Sequence, residues 1–142
     1  MIILDTNVLS ELMKPAPAAK VLHWTASQPT AALYITSITQ AEILHGILLL
    51  PRGKRRAALE TAADAMFVDD FGGRILSFGG EAARPYAEIA SGRSRGGRPI
   101  SHFDAQIAAI ARVHGAQLAT RNVQDFAGCG VALIDPWEEE RG

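Results

Sequence analysis

The chain has 142 residues, which fits one domain (residues 1–142) with a substantial hydrophobic core. Its 48% hydrophobic and 20% charged residues are ordinary for a globular protein, and its single cysteine excludes both a disulfide framework and a cysteine-based zinc site. No apolar run is long enough to span a bilayer and no signal peptide is recognisable, so we expect a cytoplasmic protein with no membrane partner.

Five short apolar runs have the length of β-strands, and helical patterns lie between most of them. The runs are Ile2–Leu4, Leu33–Thr36, Ile75–Phe78, Gln117–Ala119 and Ala132–Ile134. Strands that alternate with helices indicate an α/β protein, with a parallel sheet covered by helices on both faces.

Four further segments carry the periodicity of helices. They are Thr39–Leu50, Arg52–Phe67, Gly79–Gly92 and Ser101–His114. The first is apolar nearly all round, which predicts a helix buried in the core or against a partner subunit. The third contains Pro85, which must lie near the first turn or kink the helix. Gly115 ends the fourth.

Four carboxylates lie close to the ends of the predicted strands: Asp5, Glu42, Asp104 and Asp125. Asp5 directly follows the first strand, whereas Glu42 and Asp125 come shortly after the second and fourth strands. Asp104 opens the helix that leads into the fourth strand, so its first turn belongs at the same edge of the sheet. Open α/β sheets bind ligands at this edge, and we therefore expect the four carboxylates to lie together.

Each acid also has a structural explanation. Thr39 and Glu42 have the spacing of a capping box. Asp104 and Asp125 each follow a potential N-cap by three residues, where a negative charge favours the helix dipole. A polar residue after Asp5 could cap the next helix, but a charge at the buried end of a strand needs a partner, which favours a functional role for Asp5.

Four carboxylates in one place would repel each other and raise one another's pKa values, unless a cation neutralised them. Ligation by oxygen alone suits Mg²⁺, or Mn²⁺ as a substitute, rather than zinc. The matching chemistry is phosphoryl transfer or phosphodiester hydrolysis, in which metal-activated water attacks phosphorus in line. The sequence does not decide between one metal ion and two.

The net charge of −1 conceals an excess of basic residues outside the four carboxylates. Setting the four carboxylates aside leaves 11 acidic residues against 14 basic ones. The basic residues include two clusters, Arg52–Arg56 and Arg93–Arg98. These clusters either bind a polyanionic substrate or form solvated faces, and charge alone does not distinguish the two.

Two residues beside the acids are candidates for substrate binding. His102 could contact a phosphate or a base edge, or simply face solvent in the first turn of its helix. Arg121 could contact a phosphate, or form a salt bridge with Asp125 or its neighbours.

Four stretches of this sequence resemble a known family. They are LDTNVLSEL, ITQAEILHGI, GRPISHFDAQIAAIA and LATRNVQDF. They look like the PIN-domain ribonucleases, in particular the VapC and FitB-like toxins of toxin–antitoxin pairs, and the resemblance extends from Ile2 to Trp137. It implies a compact three-layer α/β/α sandwich around a mostly parallel, five-stranded sheet.

The resemblance also implies Mg²⁺-dependent endoribonuclease activity, dimerisation, and a cognate antitoxin whose C-terminal segment wraps the toxin and can bring a basic side chain to the acids. The four carboxylates match the family's acidic positions, and three polar residues match positions that support the site: Thr6, Thr120 and Asn122. Gly79 departs from the family, where an acid often opens the helix. That departure bears on helix stability and leaves the acids untouched.

Two other functions are compatible with parts of the sequence. An aspartyl-phosphate phosphatase would use Asp5 as its nucleophile, but such enzymes have a second aspartate where this chain has Asn7. They also use a lysine near a strand end, for which this chain has no obvious candidate. A PIN-fold module that binds RNA or an antitoxin without cleaving RNA is the other alternative, although none of the four acids is missing.

Overall fold

A parallel sheet forms the centre of the molecule in the computed structural model, which describes residues 1–138. Its strands are β1 Ile2–Leu4, β2 Leu33–Thr36, β3 Ile75–Leu76, β4 Gln117–Ala119 and β5 Leu133–Ile134. Their order is β3-β2-β1-β4-β5, with every neighbouring pair parallel. The chain builds outward from β1 in one direction and then in the other, so the strand order reverses between β1 and β4. In sheets of this kind, that reversal marks the ligand-binding crevice.

Six α-helices cover the sheet within the described residues. They are α1 Thr6–Leu12, α2 Ala19–Ala26, α3 Ser37–Leu48, α4 Lys54–Ala65, α5 Ala83–Arg95 and α6 His102–His114. Helices α1 to α4 pack with Ile2 and Leu4 of β1 on one face of the sheet. Helices α5 and α6 pack with Ile3 of β1 on the other face. Because successive strand residues point to opposite faces, one short strand supplies both halves of the core, and the predicted three-layer sandwich is confirmed.

The predicted elements differ from the observed ones mainly at their ends. Helix α4 begins two residues later than the predicted segment, and a π-helical turn, Met66–Asp70, follows it. A 3-10 turn, Gly80–Ala82, precedes α5, so Pro85 falls in the first helical turn, as predicted. An N–H in that turn would have no intrahelical acceptor, and the proline therefore removes no helical hydrogen bond there.

Burial of the Thr39–Leu50 segment within the chain is confined to one face, and its predicted burial against a partner subunit stays a prediction. Only one face of α3 is buried, through Thr39, Ile43 and Ile47. Leu48 is 47% exposed and Leu49 is 71% exposed, because α3 contacts the rest of the chain along one face and leaves these two side chains at the surface. No helix of residues 1–138 combines the length and the apolar character needed to cross a membrane.

Candidate active site at the carboxyl edge of the sheet

Asp5 lies at the end of the central strand and is 5% exposed. Its carboxylate caps α1, because Oδ1 accepts a hydrogen bond from the Thr6 N–H at 2.9 Å. Oδ2 accepts one from the Thr120 hydroxyl at 2.8 Å. Burial raises the pKa of Asp5 from 3.8 to about 6. The two hydrogen bonds oppose that rise, and the negative charges of Asp104 and Glu42 add to it.

Thr120 connects the segment that follows β1 with the segment that follows β4. It directly follows β4 and is fully buried. Its hydroxyl donates to Asp5 and accepts from the backbone N–H of Asn122 at 3.0 Å and from Asn7 Nδ2 at 3.4 Å. Its single proton is thus committed to Asp5, which fixes the carboxylate at the point where the strand order reverses.

The Glu42 carboxylate is held by one hydroxyl group and does not cap a helix. Helix α3 begins at Ser37, and its N-cap is Thr36, whose hydroxyl accepts from the Thr39 N–H at 3.1 Å. The predicted capping box of Thr39 and Glu42 is therefore wrong, because the helix starts earlier than that spacing requires. The Glu42 carboxylate instead accepts a hydrogen bond from the Thr6 hydroxyl at 2.7 Å.

Asp104 lies in the first turn of α6, where Ser101 is the N-cap. The Ser101 hydroxyl oxygen accepts from the backbone N–H of Asp104 at 3.2 Å, so the predicted cap is confirmed and the Asp104 carboxylate is not needed for it. Burial raises the pKa of Asp104. The charges of Asp125 and Glu42 act in the same direction, and Arg93 opposes them.

Asp125 is exposed and lies in the 3-10 turn Val123–Phe126. The predicted cap of this turn by the Asn122 side chain does not form. The backbone oxygen of Asn122 accepts from the Asp125 N–H instead, at 2.9 Å. Phe126, 1% exposed, anchors the turn in the core.

The acids thus repel one another electrostatically, and none of them forms an ion pair with a basic side chain of the described residues. The ion pairs found in residues 1–138 are Lys14–Glu11, Arg56–Glu60 and Arg112–Glu88. None of these pairs includes Asp5, Glu42, Asp104 or Asp125. Negative charge that is partly buried and unpaired favours a cation from outside the chain.

The arrangement of ligands limits what kind of cation fits. Among residues 1–138, no group of three His, Cys, Asp or Glu side chains is placed so that it could hold a metal ion together. Mg²⁺ in proteins commonly takes one or two carboxylates and keeps several waters, whereas Ca²⁺ takes six to eight oxygen ligands. The donor chemistry therefore fits a hydrated Mg²⁺ rather than an ion enclosed by four direct ligands.

The two predicted substrate-binding residues are both at the surface. His102 is exposed, and its Nδ1 lies 2.7 Å from the Tyr86 hydroxyl, with the two rings stacked at 6.4 Å. The guanidinium of Arg121 lies over the Trp137 ring at 4.9 Å. The predicted salt bridge between Arg121 and Asp125 is absent from the described part of the chain.

The basic cluster Arg93–Arg98 is not simply a solvated face. Arg93 and Arg98 donate to backbone oxygens of the segment that carries Asp125. Sequence reasoning missed this role, because it assigned the cluster by charge, and hydrogen bonds to backbone oxygens leave no signal in composition.

Comparisons with known proteins show which family the chain belongs to. The sequence model of the PIN domain matches residues 2–127. The chain belongs to the PIN-domain family. It is 39% identical to a VapC ribonuclease of Sinorhizobium fredii, over 97% of this chain and 99% of that protein. It is 37% identical to the toxin FitB of Neisseria gonorrhoeae, over 98% of this chain and 100% of that protein.

The fold agrees with these relatives. A solved structure of FitAB bound to a DNA fragment superposes on this PIN-domain chain with a TM-score of 0.92 and 38% identity, covering 99% of each chain. The chain is therefore a PIN-domain protein of the group that contains VapC ribonucleases and toxins of toxin–antitoxin systems.

Proposed function

We propose that this chain is a Mg²⁺-dependent endoribonuclease and the toxin of a toxin–antitoxin pair. The observation that carries the proposal is Asp5, a buried carboxylate at the reversal of strand order whose pKa is raised towards neutrality. No ion pair of the described chain neutralises it, and the charges of Asp104 and Glu42 act on it. The identity to VapC ribonucleases supports RNA as the substrate.

In this proposal, Asp5 and Asp104 hold the metal, directly or through water, and Glu42 and Asp125 complete the negative site. Thr120 orients Asp5, and Thr6 orients Glu42. When bound, Mg²⁺ supplies a Lewis acid that lowers the pKa of the attacking water and stabilises charge developing on the phosphodiester. Mn²⁺ would substitute, because it accepts the same oxygen ligands.

His102 and Arg121 are the proposed contacts to RNA. The Tyr86 hydroxyl fixes the imidazole of His102 at the exposed start of α6, two residues before Asp104. Arg121 follows Thr120 directly, and stacking on Trp137 leaves the edge of its guanidinium available for a phosphate.

An antitoxin segment would occupy a groove that begins at the acids. A cavity of about 350 Å³ is lined by Thr6 and Glu42 at one end and continues past Ile43, Ile47 and Leu59. An extended apolar segment could lie in it and bring a basic side chain to Glu42. Leu48, the last residue of α3, and Leu49, which follows it, are exposed and would suit a second copy of the chain in a homodimer.

The phosphatase alternative is disfavoured by the residue two positions after Asp5. Such enzymes have a second aspartate there, and this chain has Asn7, whose side-chain oxygen accepts from the Arg121 N–H and whose Nδ2 donates to the Thr120 hydroxyl.

The test is cleavage of total cellular RNA by the purified chain and three variants in Mg²⁺. Asp5→Asn and Asp104→Asn should each lower the rate by at least about 100-fold, because each removes a negative charge from the metal site. Asp64→Asn is the matched control, since Asp64 is an exposed acid on α4. Equal cleavage by all four proteins would refute the proposed site. Metal-independent RNA binding without cleavage would favour the non-catalytic alternative.

A further inference from the structure

One guanidinium connects three segments beside the proposed active site. Arg93, in the last turn of α5, donates from Nε to the Arg98 oxygen at 2.7 Å. Its Nη1 donates to the backbone oxygens of Asp125 at 2.7 Å and Ala127 at 3.2 Å, and lies 3.7 Å from Cys129 Sγ. These contacts hold the C-terminal part of the Val123–Phe126 turn against the last turn of α5.

The Asp125 turn has few other attachments. It is a four-residue 3-10 helix without a side-chain N-cap, and Gln124 and Asp125 are exposed. The side chain of Phe126 anchors the turn in the core. Arg98 donates a longer hydrogen bond, 3.3 Å, to the backbone oxygen of Gln124. Arg93 therefore supplies the shortest link between this turn and the helical layer, and a hydrogen bond from a charged donor is stronger than one between neutral groups.

The way in which Arg93 binds leaves the Asp125 carboxylate free. Its guanidinium contacts the main-chain oxygen of Asp125, and no ion pair joins the two side chains in residues 1–138. The Val123–Phe126 turn contacts α6, the helix whose first turn carries Asp104. An arginine that bound the carboxylate would instead neutralise the acid it positions.

We propose that Arg93 is a positioning residue of the active site. Its guanidinium holds the Val123–Phe126 turn by main-chain oxygens, so that the Asp125 carboxylate stays beside Asp104 with its charge intact. This inference rests on the proposed ribonuclease function, because positioning has a consequence only if Asp125 takes part in cleavage.

The first arm of the test measures the turn itself, without substrate. Amide hydrogen exchange is followed in the full chain and in Arg93→Met, with Arg95→Met as the matched control. Arg95 is exposed on the same helix, and no hydrogen bond of residues 1–138 involves its side chain. The amides of Asp125 and Ala127 donate to the backbone oxygens of Asn122 and Gln124 within the turn. In Arg93→Met they should exchange at least about tenfold faster, because the turn is no longer held by Arg93 and opens more often. Unchanged exchange would overturn the proposal.

The second arm uses a double-mutant cycle with Asp125→Asn and measures RNA cleavage. Arg93→Met should lower kcat by about 100-fold, the loss expected for a shift of about 1 Å in a catalytic group, with little change in KM. In the Asp125→Asn background it should cause almost no further loss. Losses that multiply in the double variant would show a general structural role and overturn the proposal.

Two controls separate the possible failures. Arg93→Lys keeps the charge but not the planar fork, and should recover only part of kcat. If Arg93→Met unfolds, Arg93→Lys carries both arms of the test. If the wild-type chain and Arg95→Met cleave no RNA, the proposed function fails and the inference falls with it. If the wild-type chain, Arg95→Met and Arg93→Met all cleave RNA at the same rate, the proposed function stands and only the inference about Arg93 fails.

Discussion

In the metal-free protein, Asp5→Asn should gain stability relative to the wild type as the pH rises from acidic to neutral. The carboxylate is almost completely buried, and its pKa in the folded chain is raised from 3.8 to about 6. Asparagine has nearly the same shape but never ionises. The variant therefore removes the cost of burying a charge while removing the proposed function.

The size of the effect follows from the linkage between ionisation and folding. Below pH 3.8, Asp5 is protonated in both the folded and the unfolded chain, and its ionisation costs nothing. As the pH rises through about 6 the folded chain loses stability, and above that value the loss is complete. Each pKa unit corresponds to about 1.36 kcal/mol, so the full loss is about 3 kcal/mol.

The assay is urea unfolding in chelator at several pH values from 4 to 8, for the wild type, Asp5→Asn and Asp64→Asn. Asp5→Asn loses the hydrogen bond from Thr120, which lowers its stability by a similar amount at every pH. The difference between Asp5→Asn and the wild type should nevertheless move in favour of the variant by most of those ~3 kcal/mol as the pH rises. A difference that is constant with pH would refute the reasoning, and Asp64→Asn should show no such trend.

Four further predictions follow from individual contacts. Thr120→Val removes the hydroxyl that donates to Asp5, so the pKa of Asp5 should rise above about 6, and a pH–rate profile should show its acidic limb moved to higher pH. Thr36→Ala removes the N-cap of α3 and should lower the free energy of unfolding by about 1 kcal/mol in a urea titration. Gly115→Ala, at a φ of 59°, should lower it by about 1 kcal/mol in the same assay. In a thermal-shift titration, Mg²⁺ at ten times its Kd should stabilise the wild type by about 1.4 kcal/mol, and Asp104→Asn should lose most of that effect.

The sheet was predictable because its strands are short apolar runs bounded by polar residues and turns. Four of the five strands begin and end within one residue of the sequence prediction, and β3 ends two residues earlier. Helix α6 was equally clear, since Ser101 and Gly115 mark its two ends by local chemistry. The spatial order of the strands was not predicted, because it depends on packing between distant segments and leaves no local pattern.

The exposed apolar side chains of α3 show a further limit of sequence reasoning. The apolar pattern of the Thr39–Leu50 segment predicted burial in the core or against a partner subunit, and within the chain alone Leu48 and Leu49 lie at the surface. Composition does not determine which face of a helix packs against the sheet.

The site was partly predictable for a physical reason. Asp5, Glu42 and Asp125 follow strands of a parallel sheet, and parallel strands end at one edge, so topology places all three acids at that edge. The hydroxyl contacts of Thr6 and Thr120, and the role of Asp5 as a helix cap, depend on side-chain geometry. Sequence spacing does not encode that geometry.

The most direct test of the proposed function is the rate of RNA cleavage by the wild-type chain as the Mg²⁺ concentration is raised from zero in chelator-treated buffer. We expect no cleavage without the metal, a saturable rise in rate as Mg²⁺ is added, and a similar response to Mn²⁺. Cleavage that proceeds at the same rate in excess chelator would contradict the metal-dependent site, and the carboxylates would then need another explanation.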